Sequence, residues 1–427
     1  MKHLNTFFAA KIAMGDSFGS FQQIELQRRQ LFENVLLILL GVYLFIDTVN
    51  GLFVKTLGLP NFLSAGYKQG LFLLMLLFAF QFEPRRFFWC LLCVAITFIW
   101  AMARFYLVDN IWFTLAFQEA IKVIYLFVMV LVLSSFRHFT SNKLNLMLLF
   151  SLSVVVLNVV FALVGIGQST YGNFGAKGFF YSGNAVSGVI VISSAWFLTK
   201  AFKRSIIQFL FLILFLSAVA LLIGTKSGFL GVLLCALIVI ALHLDARALA
   251  YGVLLLFLTA LGLLIFGEQL LEQPLFQRVL FFYDNGGLTR VLFSGRDVKL
   301  IEIWPLFERA DFWQLMLGLD MQAMQRAGVW RVEFDWADMQ INFGILLSLL
   351  VYLGYIALFG RLLTQPKNSV VSSAIIAFVV LIMISAIAGH VLYNGMVTPL
   401  WAVLTAAALN NRLLKGAKGA QVNEPTH

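Results

Sequence analysis

Apolar residues in this chain gather in long unbroken runs. They do not alternate as in a half-buried strand, nor recur every three to four positions as on a surface helix. Twelve runs are evident, at about 32–54, 66–83, 87–107, 112–135, 145–166, 183–201, 205–223, 227–243, 247–266, 339–361, 369–390 and 395–412. Each approaches the roughly 20 residues that a helix needs to cross the hydrocarbon core of a bilayer. Outer-membrane strands would instead alternate over about ten residues, which excludes that kind of barrel. The pattern therefore predicts an all-α polytopic membrane protein with about twelve transmembrane helices. Residues 1–31 form a polar, amphipathic N-terminus, 32–266 hold nine spans, 267–338 form a long polar segment, 339–412 hold three more spans, and 413–427 are a tail.

Composition agrees. Of 427 residues 61% are hydrophobic and 12% charged, against about 25% charged in ordinary soluble domains. Mean hydropathy is +0.92. Too little polar material is present to coat a water-soluble core of this size. A soluble enzyme, a disordered chain and a secreted disulfide scaffold are excluded. The first thirty residues lack the short basic region followed by an apolar stretch that marks a cleaved signal peptide.

The net charge of +10 would suggest nucleic acid in a soluble protein, but its distribution follows the membrane. With a cytoplasmic N-terminus, the inside loops carry seventeen of the thirty basic residues, from Lys2, Arg28 and Arg29 through Arg85, Arg86 and Lys203 to Lys418. The short outside loops carry only Lys55, Lys68, Lys177 and Lys226. Such a bias sets orientation and leaves no call for nucleic acid as a partner. The remaining long segment, 267–338, is extracytoplasmic on this reading. It carries seven basic and eleven acidic residues. Long translocated segments are exempt from the charge rule. Trp304, Trp313, Trp330 and Trp336 argue against disorder, and short helices over the outer mouth of the bundle are expected. Cys90 and Cys93 lie in an apolar run and read as small core residues rather than a redox pair.

Charged and polar residues at membrane depth are expensive, so they mark candidate sites. In Gly224-Thr225-Lys226-Ser227-Gly228, a tight turn can aim backbone N–H groups, a lysine and a helix N-terminus at one anion; a plain turn with a snorkelling lysine explains the same residues. Arg290 and Arg296 can grip phosphate oxygens, or be solvated loop charges. Glu333, Asp335 and Asp338 crowd three carboxylates before the tenth span, where one can serve as a base, or where all can favour a helix dipole. His390 is a base candidate or a structural hydrogen-bonder, and Asn184 a substrate contact or a helix cap. Glu119 and Lys122, three apart, can pair with each other. All but the last of these groups fall on one outer face. No metal ligand set is evident there: the face offers cationic clamps beside carboxylates.

These residues resemble motifs of the O-antigen ligase/polymerase superfamily of bacterial inner-membrane glycan transferases. The matching pieces are Phe179…Gly183-Asn184, Gly224-Thr225-Lys226-Ser227, Ser294-Gly295-Arg296 with Trp304, and a long loop between two late spans. The resemblance covers about residues 170–400 and implies a GT-C-like, metal-independent glycosyltransferase without a cofactor, acting on undecaprenyl-diphosphate-linked oligosaccharides at the periplasmic face, amid membrane lipids and with a chain-length regulator as a partner. Ligases of this family carry a His near the end of the big loop; here none stands between His243 and His390. Glu333-x-Asp335-x-x-Asp338 and Ala388-Gly389-His390 resemble the polymerase pattern instead. The resemblance implies Lys226, Arg290 and Arg296 on the diphosphate, Glu333 or Asp335 with His390 at the chemistry, and Asn184 and Asp338 on substrate. An O-antigen ligase acting on lipid A-core is the first alternative, and a transporter or flippase the second.

Overall fold

The computed structural model describes residues 2–108, 113–171, 174–243, 246–272, 274–328, 331–389 and 391–410. The first half runs α1 (Lys2–Leu57), α2 (Leu63–Phe82), α3 (Pro84–Leu107), α4 (Phe113–Leu133) and α5 (Ser141–Leu163). A hairpin follows, β1 (Gln168–Tyr171) antiparallel to β2 (Phe174–Gly178), then α6 (Gly183–Arg204), α7 (Ile206–Ile223), α8 (Lys226–His243) and α9 (Ala246–Glu272). Five short helices come next: α10 (Pro274–Asp284), α11 (Gly287–Phe293), α12 (Arg296–Glu308), α13 (Phe312–Leu317) and α14 (Met321–Arg326). The chain closes with α15 (Asp335–Leu363), α16 (Ser369–Ser385) and α17 (Thr398–Leu409).

Among the described residues nine helices are long and apolar enough to cross a membrane: α1 over Gln23–Leu57, α2 to α8, and α15. Apolar stretches in α9, α16 and α17 are shorter. Three departures from the sequence pattern, at the C-terminal end, at the N-terminal end and at the hairpin, have local causes. At the C-terminal end, the apolar run continues past Ser385 but the helix does not. Residues 386–389 and 391–397 lie outside any helix, with Gly389 and the Asn394-Gly395 pair poor helix continuers, and Pro399 starts α17 in its first turn. At the N-terminal end there is no boundary between a polar segment and a first span: α1 is one helix from Lys2. The hairpin replaces what the pattern read as an ordinary outside loop.

Large apolar side chains cover both the inside and the outside of the bundle. Leu73, Leu77, Phe80 and Phe88 of α2 and α3 are exposed, a surface that suits lipid and not water. The centre is α6: 89% of its apolar window is buried, against 28–56% for the other candidate spans. Ser187, Gly188, Ser193 and Ser194 are small enough to let α7, α8 and α16 pack close around it. Its N-terminus is thereby held fixed.

Two buried polar clusters tie the helices together. Glu33 of α1 accepts from Arg29 at 3.0 Å, from the backbone N–H groups of Arg137 and His138, and contacts the His138 ring at 3.1 Å. Arg104, 2% exposed in α3, donates to the carbonyls of Leu319 at 2.7 Å, Leu317 and Asn342. That clamp fastens the α13–α14 turn to α15, which kinks at Gly344. The short helices also have a small core of their own, formed by Ile303, Leu319, Met324, Val332, Phe334 and Ile341. It links α12 and α14 to the start of α15 and holds the segment as a unit rather than a loose loop.

Candidate functional site

A cavity of about 350 Å³ lies where the hairpin, the start of α6 and the short helices meet. One part of its lining comes from residues 170–184: Thr170, Lys177, Tyr181, Ser182, Gly183 and Asn184. The other comes from the short helices and the turn before α15: Arg278, Ser294, Gly295, Arg296, Lys299 and Glu333. Four cations and one carboxylate thus share a single concavity.

Helix ends add to this positive field. The 22-residue α6 begins at the cavity, its first turn capped by Ser182, whose Oγ accepts from the Ala185 N–H at 3.4 Å. Ser182, and not Asn184, is therefore the cap. The Asn184 amide instead reaches the Gly389 carbonyl at 3.5 Å. The 13-residue α12 also begins here, with Gly295 as its N-cap and no side-chain cap bond. Two helix N-termini converging on one space favour an anion. Burial lowers the Lys177 ammonium from its ordinary range, as expected for a cation drawn out of water.

Arg296 and Glu333 meet directly. Arg296 Nε stands 3.5 Å from a Glu333 carboxylate oxygen, and Lys299 Nζ lies 2.7 Å from the other. Arg296 and Lys299 are three apart on α12 and so share a face. Arg296 Nη1 also approaches the carbonyls of Ile387 at 3.3 Å and Phe293 at 3.5 Å. Its side chain is 11% exposed, that of Glu333 35%.

The backbone at Glu333 is unusual. Its φ is +69°, in the left-handed region that side chains other than glycine seldom adopt. The surroundings over-determine it. Asp338 accepts from the N–H groups of Val332 at 2.8 Å and Glu333 at 3.0 Å. The Glu333 carbonyl accepts from the Gly389 N–H at 2.6 Å. A Cβ at Gly389 would come within 2.2 Å of that carbonyl, so only glycine fits.

The structure thus separates the three carboxylates that the sequence grouped. Glu333 faces the cavity. Asp338 brackets the turn that presents it. Asp335 is buried and accepts from the N–H groups of Val391 at 3.0 Å and Leu392 at 2.9 Å. Neither Asp335 nor Asp338 lines the cavity. His390 lies outside the described residues.

The three cations proposed from sequence also part company. Arg296 lines the cavity. Arg290 turns to Asp297 at 3.2 Å and does not line it. Lys226 is not on the lining either: its Nζ donates to the Val291 carbonyl at 2.8 Å and lies 4.9 Å from the Phe282 ring centroid. It is still close enough to feel the charges of Arg278 and Arg296. Glu119 pairs with Lys122 at 2.5 Å and with Arg331 at 3.3 Å, a brace between α4 and the Glu333 turn.

Lys177, Arg278 and Lys299 are three of the cavity's four cations, and none stood out as a site residue in the sequence. Lys299 had a signal in its three-residue spacing from Arg296. Lys177 and Arg278 had none, because only the hairpin and the placement of α10 bring them in. Among the described residues no three His, Cys, Asp or Glu side chains come together as a metal ion would need. Chemically, the arrangement can hold a multiply charged anion and put one carboxylate beside it. No protein-family model matches the chain, and no curated protein matches it.

Proposed function

We propose that this chain is a glycosyltransferase of the bacterial inner membrane, a surface-polysaccharide polymerase resembling the O-antigen polymerases. It would move a glycan from undecaprenyl diphosphate to a sugar hydroxyl of a second lipid-linked repeat unit. The reading takes the chain to have twelve spans, with α9, α16 and α17 completing the set, and residues 267–338 on the periplasmic side. The observation that carries it is the cavity whose lining brings Arg296, Lys299, Lys177 and Arg278 together with Glu333. A lipid-linked diphosphate is one biological anion that several cations can hold at once, and a helical bundle suits a polyprenyl tail.

The chemistry follows from the charges. The acceptor hydroxyl oxygen attacks the anomeric carbon and the bond from that carbon to the diphosphate oxygen breaks. The hydroxyl proton passes to the Glu333 carboxylate. The electron pair leaves with the diphosphate, where the cations and the α6 and α12 N-termini hold the growing charge. One such contact contributes about 3 kcal/mol to the barrier. In-line attack inverts the anomeric carbon. Arg296 and Lys299 pair with Glu333, and an arriving diphosphate competes for both. Substrate then frees the carboxylate to act as the base.

The test is complementation of a deletion strain. Arg296→Ala and Glu333→Gln should each abolish long polymer while single repeats still reach lipid A-core. Wild-type chain lengths in both variants would overturn these roles. Loss of all glycan from lipid A-core in the deletion strain would point to a ligase instead.

A further inference from the structure

The cavity's lining is divided by chemistry. The cations and the carboxylate come mostly from the short helices, whereas residues 170–184 supply Tyr181, Ser182 and Asn184. Tyr181 is 89% exposed, so its ring packs against almost nothing of the protein. Its main chain is nonetheless fixed. The Tyr181 carbonyl accepts from Lys177 Nζ at 3.3 Å, and Ser182, next in the chain, caps α6. A rigidly mounted, bare aromatic ring at the edge of a charged cavity has a specific use: it can cover the C–H face of a pyranose, which presents little to hydrogen-bond. The placement relative to Lys177 matters most. A phosphate held by Lys177 puts whatever it is bonded to next to the Tyr181 ring, because cation and ring belong to one turn.

The geometry points to a sugar subsite at Tyr181, with Asn184 beside it, that receives the first sugar attached to the diphosphate. This rests on the lipid-diphosphate reading of the cavity. Among the described residues Asn184 makes one long side-chain contact, at 3.5 Å, which leaves its amide able to turn to sugar hydroxyls. The subsite selects substrate still carrying glycan over the spent carrier, so that the leaving lipid diphosphate is held less tightly than the donor.

The experiment uses the full-length protein in lipid nanodiscs and two probes, undecaprenyl diphosphate and undecaprenyl diphosphate bearing one N-acetylhexosamine. The wild type should bind the sugar-bearing probe about fivefold more tightly, the increment expected of one aromatic contact. Tyr181→Ala should lose most of that preference while binding the bare probe at the wild-type affinity. Tyr181→Phe should keep the preference. An undiminished preference in Tyr181→Ala, or one that is absent from the wild type while the bare probe binds, overturns the subsite and leaves the diphosphate reading standing. A wild type that binds neither probe overturns the diphosphate reading, and the subsite with it.

Discussion

Glu333 and Asp335 are two residues apart and chemically alike, yet the structure gives them opposite work. The left-handed turn at Glu333 throws its carboxylate into the cavity, where solvent and two cations reach it. Asp335 is wholly buried and holds two backbone N–H groups of the turn after α16. Removing each should therefore be felt differently. Asp335→Ala orphans two buried donors and should destabilise the protein by about 3 kcal/mol. Glu333→Gln keeps a hydrogen-bonding side chain of the same shape beside Lys299 and Arg296 and should cost less than Asp335→Ala, under about 2 kcal/mol, while abolishing polymer. Thermal unfolding in detergent checks this, and a Glu333→Gln protein that melts below Asp335→Ala would reverse the two assignments. At this scale the sequence revealed that acidic, basic and amide groups at 184, 296 and 333 were out of place in an apolar chain. It did not reveal which of three neighbouring carboxylates points where. That depends on one φ angle and on Gly389, more than fifty residues away.

The elements that place these side chains were unevenly readable. Long apolar helices announce themselves, because the bilayer demands internally satisfied backbone over about 20 residues. The hairpin did not, since its strands are four and five residues long and one pair of strands has too few alternating positions to register. Nor did the kink in α15. Gly344 sits there at φ +65°, and a Cβ would lie 2.4 Å from the Met316 carbonyl. Arg104 fastens the neighbouring turn through Leu317, Leu319 and Asn342. Kink and clamp act on one junction, so they should be coupled. Gly344→Ala alone should cost about 2 kcal/mol from overpacking. Combined with Arg104→Leu, the loss should fall short of the sum of the single losses by at least about 0.5 kcal/mol. Strictly additive losses in a double-mutant cycle would show that the two devices act independently.

On the scale of the whole molecule, the proposal needs the cavity to open on the side opposite the basic loops. The asymmetry is large: seventeen basic residues against four in short loops, at a cost that favours keeping each one on the cytoplasmic side. The four cations that line the cavity do not weaken this. Arg278, Arg296 and Lys299 belong to the long segment, where the rule does not operate, and Lys177, in β2 of the hairpin, is already counted among the four. Thiol labelling decides the orientation. Cys90 and Cys235 are buried and Cys93 is half-buried, so the wild type gives a low background. Leu288, in α11, is 71% exposed, and Lys367, between α15 and α16, is exposed too. In intact spheroplasts a membrane-impermeant maleimide should label Leu288→Cys and spare Lys367→Cys, which should react only once the membrane is opened. The reverse pattern would put the cations and Glu333 in the cytosol, facing nucleotides rather than lipid-linked glycans, and the polymerase reading would fall.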